Sequence, residues 1–197
     1  MNLPNVITLS RLAMTVVFVA AASHGGSGGY ALALAMFCLA AASDWLDGFL
    51  ARRLGLVTPL GKLLDPLADK ILVCTGFVAI SMLGLCPLWA TALIIAREFL
   101  VTGLRQIAVE AGQVLAADRL GKWKTGFQLA FCIDALVWLA FKPMAGEASL
   151  GGLLRAWSAP EGWLFPVFLL GAVGLTAVSG CNYLWSSRQL LRSRAAG

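Results

Sequence analysis

The sequence predicts an all-α, polytopic membrane protein with six transmembrane helices. Three observations predict it: an apolar excess in the composition, six runs long enough to cross a bilayer, and basic residues gathered at one side. Hydrophobic residues make up 59% of the 197 and charged residues only 13%, more apolar than a soluble domain of this size needs for its core.

A spanning helix needs roughly 20 mostly apolar residues. The first run, 6–23, opens with Asn5, Thr8 and Arg11 at intervals of three, which makes them neighbours on one helix face. Its AAAS end is similar to a signal-peptide cleavage site, but the polar face argues for a retained helix. The glycine-rich stretch GGSGG at 25–29 separates it from the second run, 30–51. The third, 63–84, follows the VTPLG break at 57–61, where Pro59 disfavours helix at Thr58 and Gly61 loosens the chain. Cys86 and Pro87 precede the fourth run, 87–108, and a polar stretch at 110–124 precedes the fifth, 127–141, whose start extends toward Lys122. The longest connection, 142–162, holds Pro143, Gly146, Gly151, Gly152 and Pro160, and the sixth run is 163–185. No strand-like alternation competes with these helices, and no repeat or second domain is visible, so 1–197 reads as one membrane domain.

Placing both termini in the cytoplasm puts Arg52, Arg53, Lys62, Arg119, Lys122, Lys124, Arg188, Arg192 and Arg194 at cytoplasmic ends and leaves Lys142 and Arg155 outside. That asymmetry follows the positive-inside rule. Topology and anionic lipid account for the net charge of +5 without a nucleic-acid partner.

Within this oily chain, residues 44–69 carry Asp44, Asp47, Asp65 and Asp69. The pairs lie at i,i+3 and i,i+4, so each projects from one face of its helix, and the break between them forms a hairpin with four carboxylates near its tip. Such a cluster of like charges persists only with compensating cations, hydrogen bonds or protonation. His24 is the one histidine and no CxxC is present, so the donor set suits hard divalent ions such as Mg²⁺ or Mn²⁺. Four carboxylates can hold two such ions around a phosphoryl group. The chemistry therefore points to phosphoryl transfer at the cytoplasmic face.

Asp44, Asp47, Gly48 and Ala51 form one stripe, so the acid face continues with almost no side chain. That suits close approach of a planar ligand, and equally suits helix packing. Arg52 follows, where a guanidinium can meet a phosphate bidentately. Arg97 and Arg105 share a face of the fourth helix, and Lys122 and Lys124 open the fifth. An arginine within a membrane helix costs about 2.5–3.5 kcal/mol on insertion scales and so faces a partner or a cavity. Arg97 pairs either with an acid, an aspartate or Glu98 of a neighbouring chain, or with an acceptor phosphate.

The pattern D-x2-D-G-x2-A-R-x8-G-x3-D-x3-D, carried by Asp44, Asp47, Gly48, Ala51, Arg52, Gly61, Asp65 and Asp69, resembles that of the CDP-alcohol phosphatidyltransferases. The resemblance implies a six-helix membrane enzyme with a two-metal site (Mg²⁺ or Mn²⁺), which transfers the phosphatidyl half of a CDP-linked donor to an alcohol and releases CMP. It implies that Asp44, Asp47, Asp65 and Asp69 are metal ligands, with Asp69 also the general base. Asn5, Thr8, Gly48, Ala51, Arg52 and Thr58 correspond to the nucleotide pocket. The segments NLPNVITLSR, AREFLVTGLRQIAVEAG and AADRLGKWKTGFQ are similar to those of bacterial phosphatidylglycerophosphate synthases within that family. CDP-diacylglycerol is then the implied donor and sn-glycerol 3-phosphate the implied acceptor, with Arg97, Arg105, Lys122 and Lys124 on its phosphate. The resemblance further implies a homodimer in the cell's inner membrane among its lipids.

Other acceptors within the family (inositol phosphate, serine, phosphatidylglycerol) share the acid motif. A divalent-cation transporter also clusters membrane aspartates, though typically near the midplane and with repeat symmetry. The five cysteines have no paired spacing and read as small core residues without disulfides. Trp123, Trp163 and Trp185 near helix ends suit an aromatic belt. Asp134, inside the fifth helix, requires a partner; protonation, pairing with Arg97 and a place in the site all remain open.

Overall fold

Seven α-helices follow one another in the computed structural model, which describes the backbone of residues 3–54, 59–110, 119–144 and 149–195 and the side chains of 8–43, 68, 70–109, 120–144 and 149–188. They are α1 (Leu3–His24), α2 (Gly26–Leu54), α3 (Pro59–Met82), α4 (Leu88–Glu110), α5 (Arg119–Phe141), α6 (Leu150–Trp157) and α7 (Leu164–Ala195). A 3₁₀ turn, Lys142–Met144, follows α5. Among the described residues there is no strand. Among the described residues, three stretches are long and apolar enough to cross a membrane, Gly26–Ser43, Leu120–Met144 and Leu164–Arg188; Thr8–His24 and Lys70–Met82 are shorter apolar stretches.

The six apolar runs correspond to α1–α5 and α7. Two connections differ from the sequence reading. Only Gly25 separates α1 from α2, because GSGG joins the start of α2. Gly25 and Gly26 take φ of 73° and 71°, left-handed values that glycine adopts without the Cβ penalty. The second difference lies between α5 and α7, where the sequence suggested connection alone and the chain forms α6. Ser149 caps it by accepting a hydrogen bond from Gly152 N at 3.2 Å. Gly151 and Gly152 are its buried face. A Cβ on Gly151 would stand 2.1 Å from Met144 Sδ in the 3₁₀ turn and 3.1 Å from Phe141 Cδ1 at the end of α5, so the glycine lets α6 lie close to both.

The end of α3 is closed by a Schellman turn. Leu85 N bonds Ile80 O at 3.1 Å and Gly84 N bonds Ser81 O at 3.0 Å, with Gly84 at φ 76°. Pro87 O then accepts from Ala90 N and Thr91 N at the start of α4, and the Thr91 hydroxyl reaches back to Phe77 O at 3.4 Å.

α2 packs against α1 and α5, α5 against α7, α1 against α3, and α4 against α7. The core is a run of buried phenylalanines contributed by different helices. Phe18 meets Phe37 at 5.4 Å between centroids, Phe77 stacks on Phe131 at 5.5 Å, and Phe165 meets Phe131 edge-on at 5.0 Å. Two glycines let helices approach phenylalanine rings closely: a Cβ on Gly76 would stand 2.9 Å from Phe37, and one on Gly171 would stand 2.3 Å from Phe127. A buried polar link joins α5 to α7, Gln128 Nε2 donating to Thr176 Oγ1 at 3.1 Å.

Trp123, Trp163 and Trp185 are all exposed, as an aromatic belt requires. The cysteines form no disulfides, and they are not uniformly core: Cys86 and Cys132 are buried, Cys38 and Cys74 half-buried, and Cys181 exposed. Placing cysteines by composition failed for Cys181 because it lies on the outward face of α7.

Candidate functional site: a basic cavity beside the acid helices

Arg97 and Arg105 lie eight residues apart on α4, about 80° apart around its axis, and so share one broad face. Lys122 and Lys124 occupy the first turns of α5. The bundle brings all four to one cavity of about 450 Å³, lined also by Lys70, Glu98, Val101, Thr102, Gly121, Thr125, Gly126 and Tyr183. Five cations and one acid thus line it among the described residues, a balance suited to an anion.

The burial of these charges is uneven. Lys124, Glu98 and Arg97 are 4%, 7% and 8% exposed, whereas Arg105 and Lys122 are exposed at the mouth. Lys124 Nζ donates to Glu98 Oε1, and Arg97 Nη1 lies 3.6 Å from the same oxygen. Among the described residues, the acid beside Arg97 is thus Glu98 of its own chain. Arg97 Nε and Nη2 also donate to Ser179 Oγ of α7 at 3.1 and 2.7 Å. Arg105 Nη2 donates to Tyr183 Oη at 2.6 Å. The Tyr183 ring lies under both guanidinium groups, 5.7 Å from Arg97 Cζ and 5.3 Å from Arg105 Cζ.

Asp134 takes no part in this cavity, and pairing with Arg97 is set aside. It is buried and bonded to the Ser158 side chain, the C-cap residue of α6. Its second oxygen, Oδ2, has no hydrogen-bond partner among the described residues. The acid tethers α6 to α5 at the end of the bundle away from Lys122 and Lys124.

The four motif aspartates fall on helical backbone, Asp44 and Asp47 on α2 and Asp65 and Asp69 on α3. Their side chains, with those of Asn5, Gly48, Ala51, Arg52 and Gly61, lie outside the described residues, as does Thr58 altogether. The neighbours that are described sit as follows. Lys70, the residue after Asp69, lines the basic cavity, so the second acid helix borders it. Thr8 and Arg11 of α1 are fully buried on a helix packed against α2 and α3. Carboxylates alone, on adjacent turns of two helices, are a donor set that fits hard divalent cations.

Sequence reasoning missed Lys70, Glu98 as an in-chain partner, Ser179 and Tyr183. Lys70 carried a signal, a cation directly after the last acid of the motif. Ser179 and Tyr183 carried none, because their partners are 82 and 78 residues away.

Comparison with known proteins adds the family. A sequence model described as CDP-alcohol phosphatidyltransferase matches residues 1–174. The chain belongs to the CDP-alcohol phosphatidyltransferase family. It is 43% identical over 148 residues to the CDP-diacylglycerol--glycerol-3-phosphate 3-phosphatidyltransferase of Bacillus subtilis, covering 69% of this chain and 76% of that one. It is 36% identical over 186 residues to a probable phosphatidylglycerophosphate synthase of Mycobacterium tuberculosis, covering 93% and 80%. A Pseudomonas fluorescens enzyme with the same name as the Bacillus protein is 37% identical over 172 residues, covering 79% and 88%. The aspartate motif thus lies in a chain that matches this family along most of its length.

Proposed function

We propose that this protein transfers the phosphatidyl group of CDP-diacylglycerol to sn-glycerol 3-phosphate, giving phosphatidylglycerophosphate and CMP. The observation that carries the choice of acceptor is the cavity of five cations bordered by the acid helix α3, which suits an alcohol bearing its own phosphate. The names of the relatives agree with it.

Arg97, Arg105, Lys122 and Lys124 hold the acceptor phosphate, and Lys70 adds a cation on the side of the aspartates. With its phosphate fixed, the acceptor presents its free hydroxyl toward α3, and this orientation converts a bimolecular encounter into a local one. Asp69 takes the hydroxyl proton as the oxygen bonds to the phosphatidyl phosphorus and the bond from that phosphorus to CMP breaks. Asn5, Thr8, Gly48, Ala51, Arg52 and Thr58 hold the cytidine diphosphate, Arg52 on its phosphates and the small stripe under its planar base. Asp44, Asp47, Asp65 and Asp69 would hold two divalent ions, Mg²⁺ or Mn²⁺, whose chemistry when bound is to neutralise charge on the phosphoryl oxygens and the leaving nucleotide.

The finer arrangement belongs to the same proposal. The whole chain, 1–197, forms one membrane domain in which α1–α5 and α7 cross the inner membrane with both termini and the active site cytoplasmic, and it acts as a homodimer. The grouping of Lys70, Arg105, Lys122 and Arg188 toward one end of the bundle and of Lys142 and Arg155 toward the other supports this orientation.

The test is CMP release by purified protein in detergent with CDP-diacylglycerol and Mg²⁺, with and without sn-glycerol 3-phosphate, and with EDTA as control. Release that needs both metal and glycerol phosphate is the expected result. Release only with inositol phosphate, serine or phosphatidylglycerol overturns the acceptor, and ion flux without CMP release overturns the reaction.

A further inference from the structure

The two arginines of the cavity are held from behind by a single helix. Ser179 is fully buried and Tyr183 nearly so; they stand one turn apart on α7 and face α4. Ser179 Oγ accepts from the Nε–Nη2 edge of Arg97, and Tyr183 Oη accepts from Nη2 of Arg105. Gly180, between them, makes room for the Arg97 stem: a Cβ there would stand 3.2 Å from Arg97 Cγ.

We propose that Ser179 and Tyr183 are positioning residues that aim Arg97 and Arg105 at one acceptor phosphate and thereby set the affinity for phosphorylated acceptors. The inference rests on the proposed function and adds α7 to it. Arginine side chains carry large rotamer entropy, which binding must otherwise overcome. A guanidinium already fixed by a buried acceptor on one edge and by a ring beneath it meets the anion with less ordering still to be done. Neither α7 residue bonds to the phosphate itself. Their loss therefore weakens acceptor binding and leaves the chemistry, and the donor site, in place.

The experiment compares Ser179→Ala and Tyr183→Phe with the parent in two assays on the full chain. In turnover, KM for sn-glycerol 3-phosphate is expected to rise about ten- to a hundredfold in each variant, the change that loss of one hydrogen bond to a charged group brings, while kcat and KM for CDP-diacylglycerol stay within about twofold of the parent. In direct binding, inorganic phosphate is titrated against thermal unfolding, and the phosphate concentration giving half the maximal shift is expected to rise by a similar factor. A fall in kcat with unchanged KM for the acceptor, or unchanged phosphate binding in both variants, overturns the proposal. Tyr183→Phe keeps the ring and carries the test independently of how Ser179→Ala folds. Failure of the parent to use glycerol phosphate would overturn the proposed function alone, because the phosphate titration still reads whether α7 aims the arginines.

Discussion

Replacing Glu98 by Gln removes the one acid among the described residues that line the cavity while keeping its shape. In the parent, its Oε1 accepts from Lys124 and lies 3.6 Å from Arg97 Nη1, and all three residues are buried. Breaking a buried ion pair by removing one partner costs about 3–5 kcal/mol. Arg97 keeps its two bonds to Ser179, which places the expected loss near about 3 kcal/mol. For a chain of this length each kcal/mol moves the melting temperature by about 2–4 °C, so Glu98→Gln is expected to melt about 6–12 °C below the parent. Thermal unfolding in detergent measures this. Inorganic phosphate is the second arm: an anion in the cavity replaces the lost negative charge, so phosphate is expected to raise the melting temperature of the variant more than that of the parent. A variant that melts within about 2 °C of the parent, or that phosphate stabilises no more than the parent, refutes the reasoning.

Asp69→Asn is expected to keep CDP-diacylglycerol binding and to abolish CMP release, measured by donor binding and by turnover; parent-like turnover removes the base role. Gly171→Ala places a methyl 2.3 Å from the Phe127 ring, and this overpacking is expected to lower stability by about 1–3 kcal/mol in thermal or denaturant unfolding. Burial pushes the Cys86 thiol up, only partly offset by its hydrogen bond with Thr91. A thiol whose folded pKa is raised contributes stability that is fully present below its unfolded pKa and is lost as pH rises through the folded one. Stability is therefore expected to fall on the alkaline side of 9.0, the ordinary value for this group, and to fall less in Cys86→Ala, as read from unfolding across that range.

The helices that line the bundle were legible because bilayer thickness demands long apolar runs: the run at 30–51 lies inside α2, and that at 163–185 starts one residue before α7 and otherwise lies inside it. α6 was not, because Gly151 and Gly152 read locally as helix breakers. At Gly151 the missing Cβ leaves room for Met144 and Phe141, a tertiary effect that outweighs propensity. The basic lining was legible in part: Arg97 and Arg105 follow from helical spacing and the cost of a charge in an apolar segment, whereas Lys122 and Lys124, two residues apart, reach one cavity only through the packing of α5. What holds the arginines was not. Ser179 and Tyr183 are unremarkable in an apolar helix until the packing of α4 on α7 brings them opposite guanidinium groups. Asp134 shows the same limit from the other side: the need for a partner was readable from burial alone, but Ser158 as that partner was set by the fold of a connection.

α7 has 32 residues, about 48 Å of helix at 1.5 Å per residue, while the hydrocarbon layer is about 30 Å thick. The surplus lies at the end beyond Tyr183, where 12 further residues of α7 continue to Ala195, a reach of about 18 Å past the cavity. A fluorophore, affinity tag or fused domain attached there stands off from the mouth by more than the length of a glycerol phosphate molecule. The same rod that holds the arginines thus supplies a rigid mounting point, from which the protein can be immobilised or observed while the cavity stays open to its ligands.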